Sequence, residues 1–346
     1  MRRISEWNTI RTIGFLTPTM KPIPEDLTLD LNAYQAYEDI EDYLEALARE
    51  NPGYVELLNI GESHENRSLT VVKLEDKSLK TRFRRPAIWI DAGIHAREWI
   101  AVAVALNLVD RVLKNPGVLR NVTVYVLPVV NPDGYVFSMT QDRFWRKNRC
   151  PAECGSSNDC CQGVDLNRNF DSDWAPTPGP CSLGHPGPSP FSEPETRAIR
   201  DFLKLTKVQI YLSLHSYGQQ FLLPKQISQD DPVRMLAIKA AEALRSVHGS
   251  RYDVGTSFEL NNSTGKGISK DWAYKTGIPY SYTVELRPNQ RPKELFPICG
   301  FSHACGFMLN PSEIKDTFEE FHAAFEVMAE HVTDEFSAAV NAYGKP

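Results

Sequence analysis

Apolar and polar positions alternate between strand-like and helix-like patterns from about Leu31 onward. Short runs of β-branched and aromatic residues, typical of buried strands, occupy residues 87–90, 122–127, 208–214 and 280–286. Longer stretches with one apolar helical face occupy residues 34–49, 98–113, 194–206, 231–247 and 318–338. This alternation predicts an α/β fold in which helices cover a mixed sheet.

Two segments interrupt the alternation. Residues 148–190 are rich in Pro, Gly, Ser and Cys, and residues 288–311 carry Cys299 and Cys305. Irregular segments of this length are usually functional loops. Residues 1–30 are expected to form an N-terminal extension or the remnant of a propeptide, followed by a single domain over residues 31–346.

The charge balance disfavours a general nucleic-acid binder. The chain has 38 Lys and Arg against 44 Asp and Glu, a net charge of −6, so no broad cationic surface is expected for a phosphate backbone. The longest apolar run, residues 99–109, is too short to cross a bilayer, which needs about 20 helical residues. We expect no membrane span.

The cysteines favour an oxidising compartment. Four of the 7 cysteines crowd into one segment, at Cys150, Cys154, Cys160 and Cys161, which suits disulfide bonds better than a reduced cytosol. The first thirty residues contain no apolar core of the length that an export signal needs. We therefore expect a secreted protein and an incomplete N-terminus.

A His-x-x-Glu sequence, His95-Ala-Arg97-Glu98, stands where a buried strand meets a helix. A neutral imidazole and a carboxylate are two of the three protein ligands that a catalytic zinc ion uses. His215 ends another apolar strand and is the best candidate for the third, because sites in open α/β sheets collect at strand ends. From this motif alone, a hydrogen-bonded histidine beside a surface glutamate stays an alternative.

A carboxylate also emerges from a third strand, in Thr283-Val-Glu285-Leu-Arg287. Such a group is costly unless it is paired, binds a metal ion or serves as a general base. An ion pair with Arg287 or a nearby lysine is the alternative. The segments Trp145-Arg146-Lys147 and Asp165-Leu-Asn167-Arg168-Asn169 add guanidinium and amide groups suited to carboxylates and oxyanions.

Together these residues resemble the A/B-type zinc carboxypeptidases, secreted exopeptidases that remove one residue from the C-terminus of a peptide. The resemblance extends over about residues 31–338, in the family's order. It rests on Ile94-His95-Ala-Arg97-Glu98-Trp99, Asn131-Pro-Asp-Gly-Tyr135, Arg143-Phe-Trp-Arg146-Lys147, Gly163-Val-Asp165-Leu-Asn167-Arg168-Asn169, His215-Ser-Tyr217, Asp271-Trp272 and Tyr282-Thr-Val-Glu285-Leu-Arg287. It implies a mostly parallel, twisted, eight-stranded mixed sheet with helices on both faces.

The resemblance implies that His95, Glu98 and His215 hold one Zn²⁺ ion per chain. Asp165 would accept the other ring N–H of His95 and so fix its tautomer. Glu285 would be the general base, and Arg146 would stabilise the developing oxyanion. Four further residues would contact the peptide: Asn167 and Arg168 at its free carboxylate, and Arg97 and Tyr217 in the nearer subsites.

Lys270 stands at the position that resembles the specificity residue of the family, two residues before Trp272. This position is apolar in relatives that release hydrophobic residues and acidic in those that release basic ones. A lysine favours an acidic C-terminal residue, Glu or Asp, as in carboxypeptidase O-like enzymes. If the loop at residues 265–270 instead shifts register and Lys270 extends to solvent, a hydrophobic preference is the alternative.

The mobile tyrosine that the family folds over its substrate has no counterpart here. Alignment from Gly255 places Asn262 at that position, where we expect it to contact the substrate. Because the tyrosine assists binding while other groups carry the chemistry, we expect a weaker KM and not an inactive enzyme.

The common disulfide of the family maps to Cys161 and Cys181. Cys299 and Cys305 are expected to form another, since a short loop with one histidine and no fourth ligand makes a poor structural zinc site. One of three remaining cysteines then stays unpaired, without the sequence showing which: Cys150, Cys154 or Cys160.

The resemblance implies peptide or protein C-termini as substrates, an inhibitory propeptide as a candidate partner, a monomeric state and an extracellular location. Rival classes fit less well. The Gly-x-Ser-x-Gly signature of serine hydrolases is absent, as is His-Glu-x-x-His, and Gly265-Lys266 lacks the rest of a P-loop. The non-enzyme rival is a catalytically weak peptide-binding relative, against which the intact ligands and base argue.

Overall fold

The computed structural model of the chain describes residues 29–80, 83–154, 160–289 and 303–343. The predicted extension at residues 1–30 lies almost wholly outside these ranges, and the single domain over residues 31–346 stays a prediction.

The strands are β1 (Val55–Glu62), β2 (Ser68–Leu74), β3 (Ala87–Ala92), β4 (Thr123–Leu127), β5 (Glu153–Cys154), β6 (Cys160–Cys161), β7 (Ile210–Gly218), β8 (Gln220–Leu223), β9 (Asp253–Thr256) and β10 (Tyr280–Asn289). The α-helices are α1 (Tyr37–Glu50), α2 (Trp99–Lys114), α3 (Pro132–Thr140), α4 (Pro194–Leu205), α5 (Pro232–His248), α6 (Ser257–Asn261), α7 (Ser269–Lys275) and α8 (Ile314–Tyr343).

Eight strands form one mixed sheet in the order β1-β2-β4-β3-β7-β10-β8-β9. The central pairs β4/β3, β3/β7 and β7/β10 are parallel, as is the edge pair β8/β9, and the other neighbours are antiparallel. This confirms the predicted α/β fold and its eight-stranded sheet. The strands predicted from apolar runs are the four central ones, which are buried on both faces.

Two apolar cores lie on opposite faces of the sheet. Successive residues of a strand point to opposite faces, and in β3 Ile88 and Ile90 enter one core while Ala87 and Trp89 enter the other. Helices α1, α2, α5 and α8 cover the first core, and α4 and α7 contribute to the second. The prediction that helices cover both faces is confirmed.

The turn after β3 depends on a glycine. Gly93 has φ +66°, and a Cβ at this position would lie 2.8 Å from Cγ2 of Val102 in α2. A side chain would therefore be strained and would collide with the helix. The close approach places the segment with His95 between the end of β3 and the start of α2.

Cys161 and Cys181 form the disulfide that the sequence predicts. Cys305 is also disulfide-bonded, whereas Cys299, its predicted partner, lies outside the described residues. Cys150 carries a free thiol, which identifies it as an unpaired cysteine. Among the described residues, no helix is long and apolar enough to span a membrane.

Candidate active site

Three central strands bring the predicted metal ligands and base together at one edge of the sheet. His95 follows β3, while His215 and Glu285 lie near the carboxyl ends of β7 and β10. His215 and Glu285 are register partners on these adjacent parallel strands. Parallel strands place such groups at the same edge of the sheet, the usual location of sites in α/β folds.

The three predicted metal ligands converge on one point. Glu98 Oε1 lies 2.8 Å from Nδ1 of His95, and Glu98 Oε2 lies 2.9 Å from Nδ1 of His215. The two Nδ1 atoms are 3.1 Å apart. All three side chains are buried, with exposed fractions of 4%, 3% and 1% for His95, Glu98 and His215. The alternative of a histidine beside a surface glutamate is therefore wrong.

This set of donors fits a zinc ion. Two imidazole nitrogens and a carboxylate, all facing one point from buried positions, form the three-ligand set of a catalytic zinc site. Burial alone would raise the pKa of Glu98, but the charges of His95 and His215 hold it below its ordinary value. Burial and the charge of Arg146 lower the pKa of His95. Both shifts favour the protonation states that bind a metal ion.

Hydrogen bonds behind the ligands orient both imidazole rings. Nε2 of His95 lies 3.1 Å from Asp165 Oδ1, as predicted. Nε2 of His215 lies 3.1 Å from Oγ of Ser213, which donates to Asp91 Oδ1 at 2.6 Å. Because each Nε2 faces an acceptor, the proton belongs on Nε2, and each Nδ1 presents its lone pair to the common point.

The sequence analysis did not identify Asp91 and Ser213 as site residues. Asp91 is fully buried within the apolar strand β3, where its Oδ2 accepts a hydrogen bond from Trp89 Nε1 at 2.8 Å. The signal that marked Glu285, a carboxylate in an apolar strand, applies equally to Asp91. Its partner Ser213 lies directly across from it in β7.

Asp165 links His95 to Arg146. Nε and Nη2 of Arg146 donate to Oδ2 of Asp165 at 3.0 and 2.8 Å, while Oδ1 serves His95. Burial alone would raise the pKa of Asp165, but Arg146 and His95 hold it well below its ordinary value. The carboxylate therefore stays charged and fixes the Arg146 guanidinium beside the metal ligands, with Nη1 3.9 Å from Glu98 Oε1.

Glu285 lies in the same cavity, partly exposed. Burial raises its pKa to about 7, against the opposing charge of His215. The alternative ion pair with Arg287 is wrong, because Arg287 binds Glu313 and Glu320 instead. Glu285 is thus a carboxylate with a pKa close to neutrality, a property of general bases.

A cavity of about 280 Å³ contains these groups. Its lining includes most of the predicted site residues, namely His95, Glu98, Arg146, Asn167, Arg168, His215, Tyr217, Lys270 and Glu285. Leu222, Ile268, Thr283 and Phe307 also line it, and the sequence analysis named none of them as site residues. The arrangement places the predicted metal ligands, the predicted base and several cations around one small space.

Asn167 and Arg168 occupy the end of this cavity next to α7. Oδ1 of Asn167 accepts from the backbone N of Ser269 at 2.9 Å, and its Nδ2 lies 3.3 Å from Nε2 of His215. Nη1 of Arg168 donates to the backbone O of Asn167 at 2.7 Å. Asn167 is thereby held to the start of α7 by its side-chain oxygen, in addition to lining the cavity.

Lys270 is buried at the cavity wall, with 1% of its surface exposed. The alternative in which its amine extends to solvent is therefore wrong. Nζ donates to Asp271 Oδ1 at 2.9 Å, and the same oxygen accepts from the backbone N of Lys225. Burial lowers the pKa of Lys270, while Asp271 opposes that shift.

Arg97 and Tyr217 meet at Phe307. The guanidinium of Arg97 lies 4.1 Å from the centre of the Phe307 ring, and the rings of Tyr217 and Phe307 are 5.1 Å apart. Tyr217 and Phe307 line the cavity, whereas Arg97 is not among its lining residues. The structure thus brings Tyr217 into the cavity and places Arg97 against the ring of Phe307.

Asn262 is exposed and ends α6 in a left-handed conformation with φ 49°. It is not among the residues that line the cavity, whereas its neighbours Asn261 and Ser263 are. Asn261 exchanges hydrogen bonds with Gln220 of β8 at 3.0 and 3.3 Å. The structure thus places Asn262, predicted to contact the substrate, outside the set of residues that line this cavity.

Comparisons with known proteins agree with this geometry. The sequence model of the zinc carboxypeptidase family matches residues 40–324. The chain is similar to carboxypeptidase A2 of Mus musculus, 39% identical over 322 residues that cover 88% of this chain and 72% of the relative. It is similar to carboxypeptidase B of Astacus astacus, 36% identical over 89% of this chain and 100% of the relative. Bovine thrombin-activatable fibrinolysis inhibitor, solved in complex with tick carboxypeptidase inhibitor, has a similar structure, with a TM-score of 0.76 and 34% identity over 88% of this chain and 99% of that one.

Proposed function

The chain belongs to the zinc carboxypeptidase family and is a metallocarboxypeptidase, and we propose that it releases acidic C-terminal residues, Glu or Asp. Relatives named carboxypeptidase A2 and carboxypeptidase B match with similar identity, so family membership leaves the residue preference open. The observation that carries the proposal is the buried Lys270 at the cavity wall.

His95, Glu98 and His215 are the proposed ligands of one zinc ion. When bound, zinc supplies a Lewis acid that polarises the scissile carbonyl and activates water. Asp165 and Ser213 hold the Nε2 protons of the two imidazoles, so that both Nδ1 atoms stay directed at the metal position.

Glu285 is the proposed general base. Its carboxylate takes a proton from the attacking water and passes it to the nitrogen of the leaving amine. Its pKa of about 7, raised by burial, suits both steps near neutral pH, because the group gains and loses a proton without a large free-energy difference.

Arg146 and Arg168 are the proposed anion-binding groups. Asp165 holds Nε and Nη2 of Arg146, which leaves the Nη1 side of the guanidinium to stabilise the oxyanion as the carbonyl becomes tetrahedral. Arg168, with Asn167 beside it, binds the free carboxylate of the substrate. Binding of that carboxylate restricts cleavage to the last peptide bond.

Lys270 supplies a positive charge to the pocket for the departing side chain. Asp271 is its counterion, but one carboxylate oxygen serves both Lys270 and the backbone of Lys225. An ammonium group has three N–H donors, so Lys270 can keep Asp271 and still donate to a substrate carboxylate. An apolar or cationic side chain would leave the buried amine without this partner or would repel it.

Release of the last residue from three peptides, identical except for a final Glu, Leu or Arg, tests this proposal. Each peptide is assayed with and without a chelator. We expect chelator-sensitive release that is fastest for Glu and slowest for Arg. Fastest release of Leu would overturn the acidic preference and leave the zinc mechanism intact, and no release of any residue would overturn both.

Substitution of Lys270 separates its charge from its size. Lys270→Met keeps the length of the side chain and removes the charge, and Lys270→Arg keeps the charge. We expect Lys270→Met to lower the ratio of kcat/KM for Glu over Leu by at least about tenfold, or ~1.4 kcal/mol, and Lys270→Arg to retain most of it. An unchanged ratio in Lys270→Met would contradict the assignment.

The disulfide between Cys161 and Cys181 supports an oxidising compartment. Secretion is therefore part of the proposed function. Alkylation of the thiols in the mature protein, before and after reduction, tests whether this bond is present in the protein as it is made.

A further inference from the structure

A second group of potential metal ligands lies apart from the cavity, formed by His64, Cys150 and Glu193. Their ligand atoms all lie within 4.8 Å of one another. His64 belongs to the loop between β1 and β2, Cys150 to the segment that follows Arg146, and Glu193 directly precedes α4. None of the three lines the cavity that contains the proposed catalytic groups. We call this group the His64 cluster.

The three members of the His64 cluster lie close together. Nε2 of His64 lies 2.8 Å from Oε2 of Glu193, and Sγ of Cys150 lies within 4.8 Å of a ligand atom of each of these two residues. The Glu193 side chain is 2% exposed and that of His64 25% exposed. The cluster is therefore anchored on a buried carboxylate and remains open to ions from solution.

Neighbouring groups hold the Glu193 carboxylate in place. Oε2 accepts from Asn148 Nδ2 at 2.7 Å, and Oε1 accepts from Ser192 Oγ at 2.7 Å. The same Asn148 Nδ2 lies 3.2 Å from Oε2 of the fully buried Glu195. Oε1 of Glu195 has no hydrogen-bond partner among the described residues. Two buried carboxylates thus meet at one amide, next to the imidazole and the thiol of the cluster.

The geometry points to a second zinc-binding site, in which Nε2 of His64, Sγ of Cys150 and Oε2 of Glu193 are the ligands. Thiolate, imidazole and carboxylate are all zinc ligands, at about 2.0–2.3 Å from the ion. Ligands at those distances lie nearer to one another than 4.8 Å, so small side-chain movements complete the site. Calcium and magnesium prefer oxygen ligands and fit this set poorly.

The mutual proximity of all three groups favours a metal site over a thiol nucleophile activated by a histidine. In a nucleophilic triad, the histidine lies between the thiol and the carboxylate. Here the ligand atoms of the thiol, the imidazole and the carboxylate all lie within 4.8 Å of one another, so the three groups surround one point. Binding of zinc releases the thiol proton.

Zinc at the His64 cluster would connect three separate segments of the chain. Cys150 follows Arg146 by four residues, and Asn148 between them joins both buried carboxylates. The backbone N of Cys150 and that of Val164 both donate to Oδ1 of Asn148. The ion would therefore stabilise the segment that carries Arg146 without contacting the catalytic cavity.

Metal content and cobalt spectroscopy test this site. Protein purified without chelator should contain about two zinc ions per chain, and Cys150→Ser or His64→Ala should lower this to about one. After replacement of zinc by Co²⁺, a thiolate-to-cobalt charge-transfer band in the near ultraviolet should appear. The ligands proposed for the catalytic metal include no thiolate, so the band distinguishes the His64 cluster from the catalytic site.

Matched variants distinguish the two sites. His215→Ala should lose the catalytic zinc and keep the thiolate band, whereas Cys150→Ser should lose the band and keep peptide hydrolysis. His248→Ala is the control, since His248, Asp316 and Glu319 form a cluster without a thiol. This variant should keep both the thiolate band and peptide hydrolysis. One zinc ion per chain with no thiolate band, or a band that survives in Cys150→Ser, would overturn the proposal.

A thiol measurement covers the case in which a variant fails to fold. In the unmodified chain, zinc should slow alkylation of Cys150, and a chelator should restore the rate. Equal alkylation rates with and without zinc would also overturn the proposal.

Discussion

Glu285 lies directly across from His215 on the neighbouring parallel strand. Register partners direct their side chains to the same face, so the proposed base and a proposed metal ligand share one cavity. The separation of Glu285 and His215 is fixed by the pairing of two central strands, β10 and β7. The distance between base and metal position therefore depends on the sheet and not on a loop.

Removal of the proton acceptor should abolish most turnover. Glu285→Gln keeps the shape of the side chain but cannot take a proton from water, so we expect kcat to fall by about 10²–10⁴-fold. Zinc content and the affinity for a competitive inhibitor should change little. Near-normal kcat in a variant that retains its zinc would show that another group is the base.

Asp165 should matter for both metal binding and catalysis, because its two oxygens serve His95 and Arg146. In Asp165→Asn, one of these partners faces an amide NH₂ group instead of an acceptor. We expect zinc affinity to fall by about 10- to 100-fold, the effect typical of groups that orient a metal ligand. Competition with a chelator of known affinity measures this loss. Unchanged zinc affinity together with unchanged kcat would contradict the role.

Arg168 should determine whether a free C-terminus is required. Loss of a hydrogen bond to a charged group costs about 1.5–3 kcal/mol, so Arg168→Ala should lower kcat/KM for a peptide with a free carboxylate by roughly 10- to 150-fold. Arg168→Lys keeps the charge without the planar fork of the guanidinium. Its kcat/KM for the same peptide should lie between the values of Arg168→Ala and the unmodified chain. Hydrolysis of the matched C-terminal amide should be unaffected. An unchanged kcat/KM for the free acid in Arg168→Ala would refute the assignment.

Glu41 should make the protein less stable as pH rises. Burial raises its pKa to about 7, although a hydrogen bond from Thr70 opposes this shift. Between the ordinary glutamate pKa and about 7, the folded state holds a proton that the unfolded state has released. The free energy of unfolding therefore falls as pH increases through this window.

The variant Glu41→Gln removes this titration. It can still accept the hydrogen bond from Thr70, so we expect its free energy of unfolding to exceed that of the unmodified chain at about pH 8 and to differ less at about pH 5. Urea denaturation at the two pH values measures both. A parallel pH dependence in the two proteins would exclude Glu41 as its source.

Burial explains why the sequence predicted the four central strands and not β1. The central strands β3, β4, β7 and β10 are apolar over most of their length, because both of their faces are covered. In β1 only Val55 is fully buried, and the strand shows no continuous apolar run. Strands of this kind form through pairing with a neighbour, which the local pattern does not contain.

The sequence by itself determined the fold class, the central strands and the chemical types of the proposed ligands and base, since apolar runs mark buried strands and their ends carry His95, His215 and Glu285. Only the tertiary structure decided which polar groups support them. In the folded chain Ser213 donates to Asp91, and the two oxygens of Asp165 contact His95 and Arg146. Lys270 is buried beside Asp271, and Cys150 lies close to His64 and Glu193. These contacts link residues from separate segments, and their distances follow from the packing of the whole chain, which local pattern does not encode.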